Sequence, residues 1–212
     1  TAMKIRLPLV LLLAALCTLP ALSPAAQPTP PTADSAALTT RLALRDLWVE
    51  HIFWIRNYAL ANQAGDRPQA EVASQEVVNN ATAIANSIAP LYGQPAADQL
   101  LKLLGGHWGA VKHYSDASVS QSASGKQAAV AELSSNAKAL ANFLATANPN
   151  LPESTLNTLL AAHGGHHIAQ IDEFGKKDYK AEAATWKHMR EHILGLADAL
   201  AAALVKQFPD KF

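Results

Sequence analysis

The sequence predicts an all-α protein, a six-helix bundle made of three tandem helical hairpins. Alanine and leucine dominate, aromatics are few and β-branched runs are absent, a composition that favours helix. From about Leu38 the apolar residues recur at helical spacing, in stretches too long for strands. The pattern also repeats: Leu44, Leu100 and Leu156 are spaced 56 residues apart, and much of the chain follows them in that register.

Helices are predicted over 36–64, 68–90, 95–118, 123–147, 153–174 and 178–208, and each break has a chemical cause. Gly65-Asp66-Arg67-Pro68 stops the first helix and starts the second. Tyr92-Gly93-Gln94-Pro95 is a turn, and Ser124-Gly125 is read as another. Asn148-Pro149-Asn150-Leu151-Pro152 cannot continue a helix, because proline lacks the amide and clashes with the preceding turn. Gly175-Lys176-Lys177-Asp178 closes the fifth helix and opens the sixth.

Within the 56-residue register, Leu47, Leu103 and Leu159 correspond, then Trp48, Leu104 and Leu160, then His51, His107 and His163. On the second helix of each hairpin, Ile84, Leu140 and Leu196 correspond, as do Ala85, Ala141 and Ala197, and Ile88, Leu144 and Leu200. Coincident histidines, asparagines and turns separate this from the chance alignment of any two Ala/Leu-rich helices. A unit of this kind buries its apolar face only against its neighbours.

The start of the chain reads as a secretory leader. After Thr1 and Ala2, read as a cloning remnant, Met3 opens a segment with Lys4 and Arg6, an apolar run from Leu7 to Leu16, and small residues at Ser23, Ala25 and Ala26. Cleavage is expected near Ala25 or Ala26, so residues 1–26 are a signal peptide, 27–35 a Pro/Thr-rich tether and 36–212 the bundle. The run is short for a bilayer span, and Leu16 suits a lipid-modified Cys17 poorly. A periplasmic or secreted protein follows, with no stable membrane anchoring after cleavage. Losing Cys17 removes the sole cysteine, and with it any disulfide, thiolate ligand or covalently attached c-type haem. Losing Lys4 and Arg6 leaves 15 basic residues of the original 17 against 17 acidic ones, with no basic stripe for nucleic acid.

Any chemistry therefore rests on histidine. His51, His107 and His163 each follow a leucine by four residues, which places them on the inward helix face. The second helices carry Asn80, Asn136 and then His192 at equivalent positions, and Glu76, Glu132 and then His188 one turn earlier. His163 with His167, and His188 with His192, are i,i+4 pairs whose imidazoles can ligate one ion, with facing helices completing the shell. Histidine with carboxylate suits Zn, Cu, Ni or Fe and disfavours Ca or Mg. Asp172 and Glu173 are candidates to orient an imidazole from behind. The expected metal ligands are some combination of His51, His107, His163, His167, His188 and His192; His113 and His166 are read as rim residues.

Two other readings compete. Each inward histidine can bond an asparagine of a neighbouring helix, giving a structural polar layer without metal. A non-covalent haem held by two histidines is the other. The Glu-x-x-His signature of di-iron carboxylate bundles is absent, and Met189 alone beyond Met3 cannot build a methionine-rich copper store. No residue set names a reaction, so a binding protein is favoured over an enzyme. Gly105-Gly106 and Gly164-Gly165 beside the histidines suggest close helix approach or room at the site. Trp48, Trp54 and Trp108 are read as core, and Arg56 as the partner of an acidic neighbour.

Leu47-Trp48-Val49-Glu50-His51-Ile52-Phe53-Trp54-Ile55-Arg56, Ala147-Asn148-Pro149-Asn150, and Gln207-Phe208-Pro209 with Lys211-Phe212 resemble motifs of a family of small exported bacterial helical proteins of unassigned activity. The family often has threonine where Ile55 stands. The resemblance implies a helical fold and draws interest to His51, His107 and His163; it implies no reaction.

Overall fold

A computed structural model describes the chain from residue 33 to residue 212, with side chains from residue 36. The expected leader and most of the expected tether lie outside the described residues. The described chain is helical, without strands. Its elements are α1 (Ala33–Ala64), α2 (Arg67–Ser87), the one-turn α3 (Ala89–Tyr92), α4 (Gln94–Val119), α5 (Ala123–Ala147), α6 (Glu153–Gly175), α7 (Tyr179–Gln207) and a terminal 3-10 turn (Pro209–Lys211). None of the described helices is long and apolar enough to cross a membrane.

The breaks fall where chain chemistry demands them. Gly65 takes φ +74° at the end of α1, and the Asp66 carboxylate caps α2 by accepting from the Gln69 amide at 3.2 Å. Gly93 takes φ +83° between α3 and α4. Asp178 caps α7 through the Ala181 amide at 3.0 Å. The fourth break differs from expectation. The turn lies at Gln121 and Ser122, while Ser124 and Gly125 belong to the first turn of α5. The expected helix bounds, 123–147, hold, and the Ser122 hydroxyl caps α5 by accepting from the Gly125 amide.

α1 pairs with α2, α4 with α5, and α6 with α7 as antiparallel hairpins, and α7 closes back on α1. α1, α4 and α6 also touch one another, so the first helix of each hairpin lies inside and its partner outside. Burial follows the same register. Leu44, Leu100 and Leu156 are buried, as are Trp48, Leu104 and Leu160, and then His51, His107 and His163. Leu47, Leu103 and Leu159 are half-buried in all three hairpins. The Asn80 amide donates to the Leu47 carbonyl at 3.0 Å, and the Asn136 amide to the Leu103 carbonyl at 2.9 Å, tying outer helix to inner helix one turn before each histidine.

The glycine pairs divide in role. A Cβ on Gly105 or Gly165 would meet nothing within 4 Å, whereas one on Gly164 would collide with the Leu133 side chain of α5. Gly164 thus lets α5 approach α6 beside His163. Gly165→Ala is expected to stabilise the protein by about 0.5–1 kcal/mol through helix propensity. Gly164→Ala is expected to destabilise it by roughly 1–2 kcal/mol, because the buried Leu133 must be displaced. Urea unfolding of the two variants, at unchanged m-value, checks the opposite signs.

Candidate metal centre

The three inner helices each carry one histidine of the repeat to a common point, and α6 adds a second. His51 comes from α1, His107 from α4, and His163 and His167 from α6, one turn apart. All four are buried, and each offers a ring nitrogen such that the four atoms lie within 4.8 Å of one another. Ring centroids are 5.7 Å apart for His51–His107, 5.7 Å for His51–His163 and 5.4 Å for His107–His163. His167 closes the group at 4.5 Å from His163, 5.6 Å from His107 and 6.1 Å from His51.

His167 occupies the place in its helix that Ile55 and Val111 fill in the sister hairpins, and all three are buried. One copy has therefore exchanged a core aliphatic for an imidazole. That exchange was visible in the register as an odd residue out, and it adds the fourth imidazole of the cluster.

The hydrogen bonding of the group is far from complete. The Nε2 atoms of His163 and His167 are 3.1 Å apart and share one proton. Both ring nitrogens of His51, Nε2 of His107 and Nδ1 of His163 are buried with no hydrogen-bond partner. An unpaired buried polar group costs about 1–3 kcal/mol, and four such atoms lie together here. No hydrogen bond joins them to Asn80 or Asn136, whose NH2 groups donate to the Leu47 and Leu103 carbonyls and whose Oδ1 atoms are themselves buried without a partner. The His/Asn layer considered from the sequence is thus not what these contacts form. Asp172 and Glu173 are likewise engaged elsewhere. Asp172 accepts from Tyr114 and Lys126, and Glu173 from Thr185.

Burial sets the protonation state. Desolvation, with repulsion from His107, lowers the pKa of His51 to about 3, and desolvation lowers that of His107 to about 4. His163 and His167 are pushed well below the ordinary value by burial and then by neighbouring imidazoles. The cluster is neutral at pH 7, the form in which imidazole ligates metal. A tetrahedral ion with Zn–N of about 2.0–2.1 Å needs donor atoms roughly 3.3 Å apart. The His163–His167 edge, at 3.1 Å, is near this, and the other ligand atoms lie within 4.8 Å.

The remaining predicted ligands lie outside this group. His188 is exposed on α7. His192 is half-buried, hydrogen-bonded to the Leu159 carbonyl, with its ring 6.2 Å from that of His163. His166 is half-buried beside His192, and His113 pairs with Glu132 at 3.0 Å near the surface. Arg56 binds the buried Glu182 carboxylate through two nitrogens at 2.6 and 2.7 Å, the expected acidic partner. Trp48 and Trp108 are core, while Trp54 is half-buried.

On one side the cluster faces a narrow cavity running toward Tyr92 and Asn148, with about 70 Å³ available to a water centre. Its wall is leucine-rich and includes His51, His107 and His163. No known protein family, curated protein or solved structure matches this chain.

Proposed function

We propose that this protein binds one divalent transition-metal ion through His51, His107, His163 and His167. The observation that carries the reading is four buried imidazoles, delivered by three helices, whose ligand atoms lie within 4.8 Å while several of their nitrogens have no partner. The donor set is all nitrogen, which suits Zn, Cu(II), Ni or Fe(II) and disfavours Ca and Mg. Four neutral ligands leave the ion its full charge, so the site exchanges hydration for coordination without a compensating carboxylate in the group.

A haem fits less well. Two axial imidazoles must leave an open plane between them for the porphyrin, and here the third and fourth rings stand within about 6 Å of the first two. The leader-like start of the chain supports export, and we place the metal site in the periplasm or outside the cell. Intact-mass measurement of periplasmic protein, with an N-terminus near Ala25 or Ala26, checks that placement.

Elemental analysis of protein purified without chelator, followed by titration calorimetry with Zn, Cu and Ni, tests the central reading. One equivalent is expected to bind, with affinity falling at least a hundredfold in His163→Ala. Wild type that binds none of the three ions above background would establish the metal-free structural reading instead.

A further inference from the structure

A buried all-histidine centre raises the question of how a hydrated dication arrives. The leucine-lined cavity does not serve, since carrying an unpaired charge through an apolar passage is prohibitively costly. The opposite side, where α6 faces α7, is different. There the imidazoles continue outward from the cluster. The ring of His192 lies 6.2 Å from that of His163 and nearly parallel to it, and the ring of His166 lies 5.3 Å from that of His192. His188 lies exposed on α7, one turn before His192.

The same residues hold unused donor capacity. Nε2 of His192 and Nδ1 of His166 are buried and without a partner. The sister hairpins make the same tie to the inner helix with asparagine in this place. Asn80 ties α2 to the Leu47 carbonyl and Asn136 ties α5 to the Leu103 carbonyl. His192 makes the equivalent bond to the Leu159 carbonyl. Asparagine does this work twice, and histidine does it once while adding a second nitrogen with nothing to bind. The extra nitrogen appears in the hairpin that also gained His167, and next to His163.

We propose that His192 and His166, with His188 outside them, form an entry path that passes a divalent transition-metal ion from solvent to the four-histidine centre. This inference rests on the metal-binding reading above. Each step exchanges water or imidazole for another imidazole, so the ion stays coordinated while it loses its hydration shell. The ion makes its last exchange onto His163, whose ring stands between that of His192 and the rest of the centre, 6.2 Å from the former.

The test uses Co(II) as the probe, because its visible spectrum reports the coordination it enters. Stopped-flow uptake into the metal-free full chain, and release to a chelator, are timed for wild type, His192→Asn and His166→Gln. His192→Asn keeps the bond its sisters make, so the fold is expected to persist, and circular dichroism verifies this. The expected result is that uptake and release both slow by about tenfold or more while the dissociation constant stays within about twofold of wild type. Unchanged rates in both variants would overturn the path. So would a tenfold weaker affinity with unchanged uptake, which would make His192 a ligand of the centre. A wild type that binds no Co(II), Zn or Cu at all would instead remove the metal-binding reading itself, and is distinguished by the absence of any spectral change to time.

Discussion

Replacing His51 by leucine is expected to make the metal-free protein more stable while abolishing metal binding. Both ring nitrogens of His51 are buried without a partner, and the residue is 2 % exposed, beside Trp48 and the other three imidazoles. Removing buried polar atoms that bond nothing relieves their desolvation cost, and leucine retains most of the volume. A gain of about 1–3 kcal/mol is expected, read as a higher urea midpoint in the presence of chelator. Loss of one ligand from a four-ligand site should at the same time lower metal affinity by two or more orders of magnitude. Excess metal should therefore raise the melting temperature of wild type and leave that of His51→Leu unmoved. The opposed effects discriminate between readings. A histidine retained for packing should destabilise the apo protein when replaced, and that outcome would count against the site.

The second large effect concerns acid. Folding lowers the proton affinity of His51 to a pKa of about 3 and of His107 to about 4, and pushes His163 and His167 well below the ordinary value. Below a pH of about 6.5 the unfolded chain takes up protons at these positions while the folded chain does not. Stability is fully present above that pH and is lost as pH falls toward the folded-state values. Each such histidine costs about 1.4 kcal/mol per pH unit in this window, so His51 and His107 together remove roughly 3 kcal/mol per unit between pH 6 and pH 4. Against a total stability of about 5–15 kcal/mol, the metal-free protein is expected to unfold near pH 4–5. Circular dichroism against pH, with chelator and with saturating zinc, measures this. Bound metal should shift the transition to lower pH, because protons must displace it first. A metal-free transition that stays in place in the double variant His51→Leu, His107→Leu would show that these imidazoles do not govern acid stability.

Much of this was legible in the chain. Gly65-Asp66-Arg67-Pro68 and Gly175 to Asp178 act within a few residues of themselves, through the caps at Asp66 and Asp178 and the left-handed turns at Gly65 and Lys177, so their outcome is local. The inward placement of His51, His107 and His163 followed from helical periodicity against leucines one turn earlier. The turn before α5 was misplaced because Ser122 and Ser124-Gly125 carry similar local signals, and the cap is decided by which hydroxyl reaches a free amide. Asp172 and Glu173 looked suited to orient an imidazole, yet Tyr114, Lys126 and Thr185 from other helices claim them.

The candidate ligands divide along the same line. Sequence spacing alone established that His163 and His167 share a helix face, as do His188 and His192, because one helical turn fixes both pairs. It could not decide which pair meets His51 and His107. That depends on α1, α4 and α6 packing against one another with α7 outside them, a contact among residues far apart in the chain. Helix formation is settled by neighbours along the backbone, so the six long helices and the polar residues they carry are written in the sequence. Convergence of four imidazoles is settled by which apolar faces bury together, and only the packed bundle put His167 inside and left His188 on the surface.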